Sequence, residues 1–247
     1  MKKLGIIDTF GFSSGLNLLH LIRKEAEQQF GGTEAGQIMV YSLHRPSDNI
    51  EKAWNSISGF VISKAYDLKN AEGCDFVALS SNLLSQINLS QELALQEFLY
   101  EDSIKKDWKA PALIDINDSI INSVIESGAR RILLLGPSYV MRSKLLRAKL
   151  NKVQIEMMDV TNYWDETDQI DQIINDLVTI DKLDDESVEF LVNFINQFPS
   201  DSDERPDAIV LGCQELSEII TEDLIFDGVP LIDGSQAYVK DLVKLIA

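Results

Sequence analysis

Short apolar runs alternate along this chain with longer segments in which apolar positions recur every three or four residues. The short runs are typical of buried strands, and the longer periodic segments are typical of amphipathic helices. The predicted strands are 3–7, 37–41, 75–79, 111–114, 131–135, 153–157, 207–211 and 229–232. The predicted helices are 14–30, 50–71, 86–102, 117–128, 138–150, 166–198 and 235–246. This alternation predicts an α/β protein with parallel sheets and right-handed crossovers.

The chain also repeats itself. The segment DFVALSSNLLS at 75–85 aligns without gaps with DAIVLGCQELS at 207–217, and aspartate, two leucines and serine recur at matching positions. Two further pairs follow the same order: KKLGIID at 2–8 with RRILLLG at 130–136, and PALID at 111–115 with VPLID at 229–233. Buried strands of unrelated α/β domains share such residues, so one pair alone would be weak. Three pairs in the same order favour an internal duplication.

The duplication predicts two pseudo-symmetric lobes, each with a parallel sheet flanked by helices. We expect the first lobe at 1–117, joined by the C-terminal helix 235–247, and the second at 118–234. Because ligands of parallel α/β sheets bind beyond the carboxyl ends of the strands, we expect an active-site cleft between the lobes.

Composition narrows the function classes. The 247 residues are 45% hydrophobic and 25% charged, an ordinary globular balance. With 40 acidic and 22 basic residues the net charge is −18, which argues against nucleic acid or an anionic membrane as a partner. No apolar run is long enough for a membrane span, and Asp8 interrupts the N-terminal apolar stretch before it could serve as a signal peptide. We therefore expect a cytoplasmic protein.

Cysteine and histidine are scarce. Two cysteines, Cys74 and Cys213, and two histidines offer little for a disulfide framework, a zinc site or a serine–histidine triad. The sequence thus predicts no metal site.

Two residues are the candidates for catalysis. The repeat places Ser81 and Cys213 at equivalent positions, each after a strand and before a helix. A thiol at a helix N-terminus has a lowered pKa, so Cys213 is predicted to be a reactive thiolate, with an inert buried cysteine as the alternative. Cys74 precedes its strand, at the other end of the sheet, and is interpreted as structural.

Several polar or turn-forming residues follow strands and are candidates for substrate binding. Gly11 and Ser13 follow the first strand and suit either an anion-binding nest of backbone N–H groups or a plain tight turn. Ser138 holds the corresponding position in the second lobe. Asn82 and Gln214 adjoin the two catalytic candidates and could bind a carboxylate.

At these residues the chain resembles the cofactor-independent aspartate/glutamate racemase superfamily. The segment LGCQE at 211–215 is similar to the family's second-lobe cysteine motif, and SNL at 81–83 is similar to its first-lobe Cys-Asn-Thr motif. The segments 128–150 and 229–243 resemble the opening and closing of the family's second lobe, so the resemblance spans almost the whole chain. It adds Leu83 to the expected substrate contacts.

The resemblance implies a racemase or epimerase that works without pyridoxal phosphate. Two thiols would flank the Cα of a small anionic substrate, such as aspartate, glutamate or another acidic amino acid, and exchange its proton from opposite faces. It also implies a homodimer. This chain departs from the family's pattern, because Ser81 replaces the first cysteine, and Leu83 and Gln214 replace the threonines that follow the two cysteines.

Two alternatives remain open beside the racemase interpretation. One is a one-cysteine enzyme of the arylmalonate decarboxylase type, in which the second-lobe thiol protonates an enolate on one face. The other is a catalytically inactive relative that binds a small molecule or a partner on the same scaffold.

Overall fold

The computed structural model describes residues 2–8, 12–31, 36–42, 50–80, 109–180, 184–198, 205–217, 219–220 and 229–247. The chain divides into two compact units. Unit 1 consists of Met1–Ile116 with Val239–Ala247, and unit 2 consists of Asn117–Tyr238.

Unit 1 contains a parallel sheet of four described strands in the order β2-β1-β3-β4. Its strands are β1 (Lys3–Asp8), β2 (Gln37–Ser42), β3 (Phe76–Leu79) and β4 (Ala112–Ile114), and its first two helices are α1 (Phe12–Phe30) and α2 (Ile50–Asn70). Apolar residues of α2, including Val61, Ala65 and Leu68, are fully buried against Ile7 and Val77 of the sheet.

Unit 2 contains a second parallel sheet of four described strands in the order β6-β5-β7-β8. Its strands are β5 (Arg131–Leu135), β6 (Glu156–Met157), β7 (Ala208–Leu211) and β8 (Leu231–Asp233). The helices are α3 (Ile116–Ser127), which begins one residue before the unit, α4 (Ser138–Met141), α5 (Lys144–Lys152), α6 (Trp164–Ile180), α7 (Asp185–Asn196), α8 (Gln214–Ser217) and α9 (Gly234–Ile246), which continues into unit 1.

The two sheets share one register as well as one strand order. Leu4 of β1 pairs with Phe76 of β3, and the repeat equivalents Ile132 and Ala208 pair in the same way. At the next strand, Val77 pairs with Leu113, and Ile209 pairs with Leu231. All three repeated segments therefore occupy matching strands, and the predicted fold class, parallel sheets flanked by helices in a duplicated arrangement, is confirmed.

Helix boundaries differ from the prediction at two places in unit 2. The predicted helix 138–150 is divided into α4 and α5, because Ser143 accepts a hydrogen bond from the N–H of Leu146 and begins a new helix. The predicted helix 166–198 is divided into α6 and α7, and Asp184 caps α7 by accepting from the N–H of Ser187.

Two other expectations need a comment. The predicted strand 153–157 is shorter, because Gln154 has a φ of 61° and turns the chain before β6 begins. The predicted helix 86–102 lies outside the described residues.

Candidate functional site

The turn after β7 places Cys213 at the carboxyl end of the second sheet. The N–H of Gly212 donates to the carbonyl of Leu135 at 2.7 Å and so extends the pairing of β7 with β5 by one residue. A Cβ on Gly212 would lie 3.0 Å from Cγ1 of Val140 and 3.1 Å from Cδ1 of Leu134. A side chain at this position would therefore require Val140 of α4 and Leu134 of β5 to shift by a few tenths of an ångström, so α4 packs directly over the turn that carries the thiol.

The thiol of Cys213 is held in its protonated form. Only 8% of the residue is exposed, and burial raises its pKa well above the ordinary value. The charge of the Glu215 carboxylate raises the pKa further, as does its hydrogen bond with the thiol, while the N–H groups of Leu216 and Glu215 lower it without cancelling the effect of burial. The predicted lowering of the pKa was wrong, because α8 has only four residues and cannot offset the burial.

Tyr139 of α4 lies close enough to Cys213 and Glu215 for their charges to affect its pKa. The residue is 39% exposed, and partial burial of the phenol is the first cause that raises its pKa. The charge of Cys213, where that thiol ionises, and the charges of the Glu215 and Asp171 carboxylates raise it further. The phenol therefore remains a neutral O–H group at physiological pH.

A backbone N–H in the turn after β5 already donates a hydrogen bond to a side chain of the protein. The N–H of Ser138 donates to Oδ1 of Asp171, on α6, at 2.7 Å. Nearby, the guanidinium of Arg142 stacks 3.6 Å over the ring of Trp164 and donates to the hydroxyl of Thr167. Arg142 is therefore engaged within unit 2.

Sequence reasoning did not single out the buried polar cluster at the carboxyl end of the first sheet. Asp8 is only 1% exposed and accepts hydrogen bonds from the hydroxyls of Ser42 and Ser80 at 2.9 and 2.8 Å. A Cβ on Gly15 would lie 2.9 Å from the Asp8 carboxyl carbon, so the first turns of α1 pack onto the carboxylate. The available signal was an acidic residue that ends a fully apolar strand.

Comparison of sequences alone finds no relative: no protein-family model matches the chain, and no curated protein matches it. Solved structures match closely. A candidate Asp/Glu racemase from Yersinia pestis superposes with a TM-score of 0.77 at 20% identity, covering 100% of this chain and 99% of that chain. Glutamate racemase from Francisella tularensis in complex with D-glutamate gives 0.64 at 17%, covering 99% and 80%. Arylmalonate decarboxylase gives 0.52 at 17%, covering 99% and 92%.

The chain has the fold of the aspartate and glutamate racemases. The two four-stranded parallel sheets found in the described residues agree with this fold. On it, Cys213 follows β7 after a single glycine and Gln214 begins α8, with Cys213 almost fully buried and Gln214 partly so.

The other predicted site residues fall into two groups, those within the described ranges and those outside them. Ser13 lies in the first turn of α1, and Ser138 begins α4 with its N–H donated to Asp171. The predicted site residues Gly11, Ser81, Asn82 and Leu83 lie outside the described residues. Their roles stay predictions.

Two further observations concern classes of site. Among the residues that the structure describes, no group of three or more His, Cys, Asp or Glu side chains could hold a metal ion. No helix in the described ranges has both the length and the apolarity needed to cross a bilayer.

Proposed function

We propose that this protein is a cofactor-independent isomerase of the racemase or epimerase type, which transfers a proton at the Cα of a small amino acid or related acid. Aspartate and glutamate are the first substrates to test, since similar structures carry those names. The observation that carries the proposal is the position of Cys213, a buried thiol in the turn after β7 on a racemase fold.

The chemistry that Cys213 can perform follows from its surroundings. As a thiol it can give a proton to a carbanion at Cα. To act in the other direction it must first lose its proton, and the hydrogen-bonded Glu215 carboxylate is the acceptor within reach. The resulting thiolate can remove the Cα proton, and its pair of electrons then holds that proton in a new S–H bond.

Inversion needs a second proton-transfer group on the opposite face of Cα. We propose Ser81 for this role, because it is the repeat equivalent of Cys213. A serine hydroxyl is a far weaker acid than a thiol, so we expect slower exchange in the direction in which Ser81 must act as the base. Backbone N–H groups and the amides of Asn82 and Gln214 are the proposed partners of the substrate carboxylate.

The decisive experiment is exchange of the Cα proton in heavy water. The protein is incubated with L- and D-aspartate and with L- and D-glutamate, and loss of the Cα–H signal is followed by NMR. We expect exchange in the parent protein, its loss in Cys213→Ala, and its retention in Cys74→Ala, the matched cysteine control. Absence of exchange for every enantiomer of these two acids and of their amides, asparagine and glutamine, in protein shown to be folded by circular dichroism, would contradict the proposal.

One observation favours a second candidate function. A thiol that stays protonated suits an enzyme that only donates a proton, as in a decarboxylase whose enolate product is protonated on one face. The similarity to arylmalonate decarboxylase supports the same idea. This function predicts release of carbon dioxide from phenylmalonate, lost in Cys213→Ala, without Cα exchange of amino acids.

A further inference from the structure

The carboxyl end of the second sheet carries negative charge close to Cys213. Glu215 comes two residues after the thiol. Asp171 binds the N–H of Ser138 in the turn after β5, and this turn contacts the one that carries the thiol, since a Cβ on Gly136 would lie 3.8 Å from the backbone N of Cys213. Arg142, whose guanidinium is stacked on Trp164 and donates to Thr167, adds one positive charge to this part of unit 2. Two carboxylates and one guanidinium leave one net negative charge, which opposes a second anion.

Asp171 also occupies a backbone donor at the carboxyl end of β5. In parallel α/β sheets, ligands bind beyond the carboxyl ends of the strands. Here the N–H of Ser138, at that turn after β5, already donates to Oδ1 of Asp171 at 2.7 Å. A substrate carboxylate could use this N–H only by displacing Asp171, and it would then face the charge of both carboxylates.

We propose that Asp171 sets the charge specificity of the site, so that the preferred substrate is an amino acid with an uncharged side chain rather than aspartate or glutamate. The ammonium group of such a substrate complements the two carboxylates, while its single carboxylate leaves no second anion to place beside Asp171. This inference rests on the proposed function and narrows its substrate class.

Two isosteric pairs, asparagine with aspartate and glutamine with glutamate, test the charge alone. Cα exchange in heavy water is measured for each compound, and kcat/KM is compared within each pair. We expect the amide to be preferred by about tenfold, because two like charges brought together in a partly hydrated site repel each other by an energy of that order. Affinities of the same compounds are measured by isothermal titration calorimetry.

The key variant is Asp171→Asn, whose carbonyl oxygen can still accept from the N–H of Ser138 while the charge is removed. It should lower the amide-to-acid ratio at least about tenfold. Asp176→Asn is the control on the same helix, where Asp176 accepts from Gln172. It should leave the ratio unchanged, and general damage to the fold would change both rates together rather than their ratio.

The outcomes separate this inference from the proposed function. Preference for aspartate or glutamate, or a ratio that Asp171→Asn does not move, overturns the inference and leaves the isomerase standing. Amide-selective binding that Asp171→Asn reverses, without exchange of any compound, overturns the isomerase and supports the charge specificity. Neither binding nor exchange of any of the four compounds overturns both.

Discussion

Asp207 and Arg131 are joined by two hydrogen bonds where the neighbouring strands β7 and β5 begin. Oδ2 of Asp207 accepts from the N–H of Arg131 at 2.8 Å, and the N–H of Asp207 donates to the carbonyl of Arg131 at 2.7 Å. In unit 1, Asp75 and Lys3 repeat this pair of bonds, each at 2.8 Å. The aspartate shared by both copies of the repeat thus ties the starts of two neighbouring strands together and helps to fix their register.

Removing this aspartate from either copy of the repeat should destabilise the unit that contains it. We expect Asp207→Ala to lower the free energy of unfolding by about 1 kcal/mol, because backbone N–H groups lose a charged acceptor. Asp75→Ala should cost less, since Asp207 also accepts from the N–H of Arg130. Urea denaturation checks both variants, and an equal or larger effect of Asp75→Ala would contradict the expectation.

The cluster around Asp8 should behave as a unit. Asp8→Ala leaves two hydroxyl donors, on Ser42 and Ser80, without their shared acceptor, and we expect a loss of roughly 1–3 kcal/mol in the free energy of unfolding. In a Ser42→Ala, Ser80→Ala background the same substitution should cost clearly less, because contacting residues are not additive. Equal costs in the two backgrounds would show that the hydroxyls contribute nothing.

Two glycines that follow strands of the second sheet should respond differently to alanine. A Cβ on Gly234 would lie 2.6 Å from the carbonyl oxygen of Leu211 and 2.9 Å from Cγ1 of Ile120, whereas a Cβ on Gly136 meets nothing closer than 3.5 Å. We expect Gly234→Ala to destabilise the protein by about 1–3 kcal/mol and Gly136→Ala to be tolerated. Thermal unfolding of both variants makes the comparison, and similar shifts would contradict the packing described.

The raised pKa of Cys213 predicts slow alkylation at neutral pH. In a Cys74→Ala background, where Cys213 is the remaining cysteine, the rate of reaction with iodoacetamide should rise about tenfold per pH unit up to pH 9. Glu215→Gln should increase the rate at any fixed pH in this range, because it removes a charge that opposes the thiolate. A plateau near neutral pH would instead indicate a thiolate.

The same thiol should make the fold sensitive to alkali. The pKa of Cys213 is higher in the folded state, so the unfolded chain loses this proton first, near its ordinary pKa of about 8.5. The contribution to stability is fully present below that pH and declines as pH rises through the folded pKa. Cys213→Ala should therefore flatten the fall in unfolding free energy between about pH 8.5 and 10.5, and an unchanged slope in urea denaturation would contradict this.

The equivalence of the two sheets could be predicted from the sequence because the chain carries each strand pattern twice, whereas the strand order within a sheet could not. Matching LGIID with ILLLG and DFVAL with DAIVL aligns Leu4 with Ile132 and Phe76 with Ala208, and the sheets pair these residues identically. Helix boundaries were harder to predict, since a capping side chain such as Ser143 interrupts a segment whose apolar periodicity continues across it.

The chemistry of the site was less accessible. The position of Cys213 after β7 follows from the strand pattern, but its pKa depends on burial and on Glu215, which a helix-terminus argument alone does not weigh. The bond between Ser138 and Asp171 joins residues 33 apart in sequence, and no local pattern predicts it. Long-range polar contacts of this kind decide which groups remain free for a ligand.

Helix α9 bears on how the protein could be divided for experiments. Its first residues belong to unit 2, whereas Val239–Ala247 complete unit 1, where Val239, Leu242 and Val243 are fully buried. A gene truncated after Ile116 would therefore encode unit 1 without the buried helical residues that complete its core. An independently expressed first half needs the last nine residues grafted back through a linker, for instance as a circular permutant that begins at Val239.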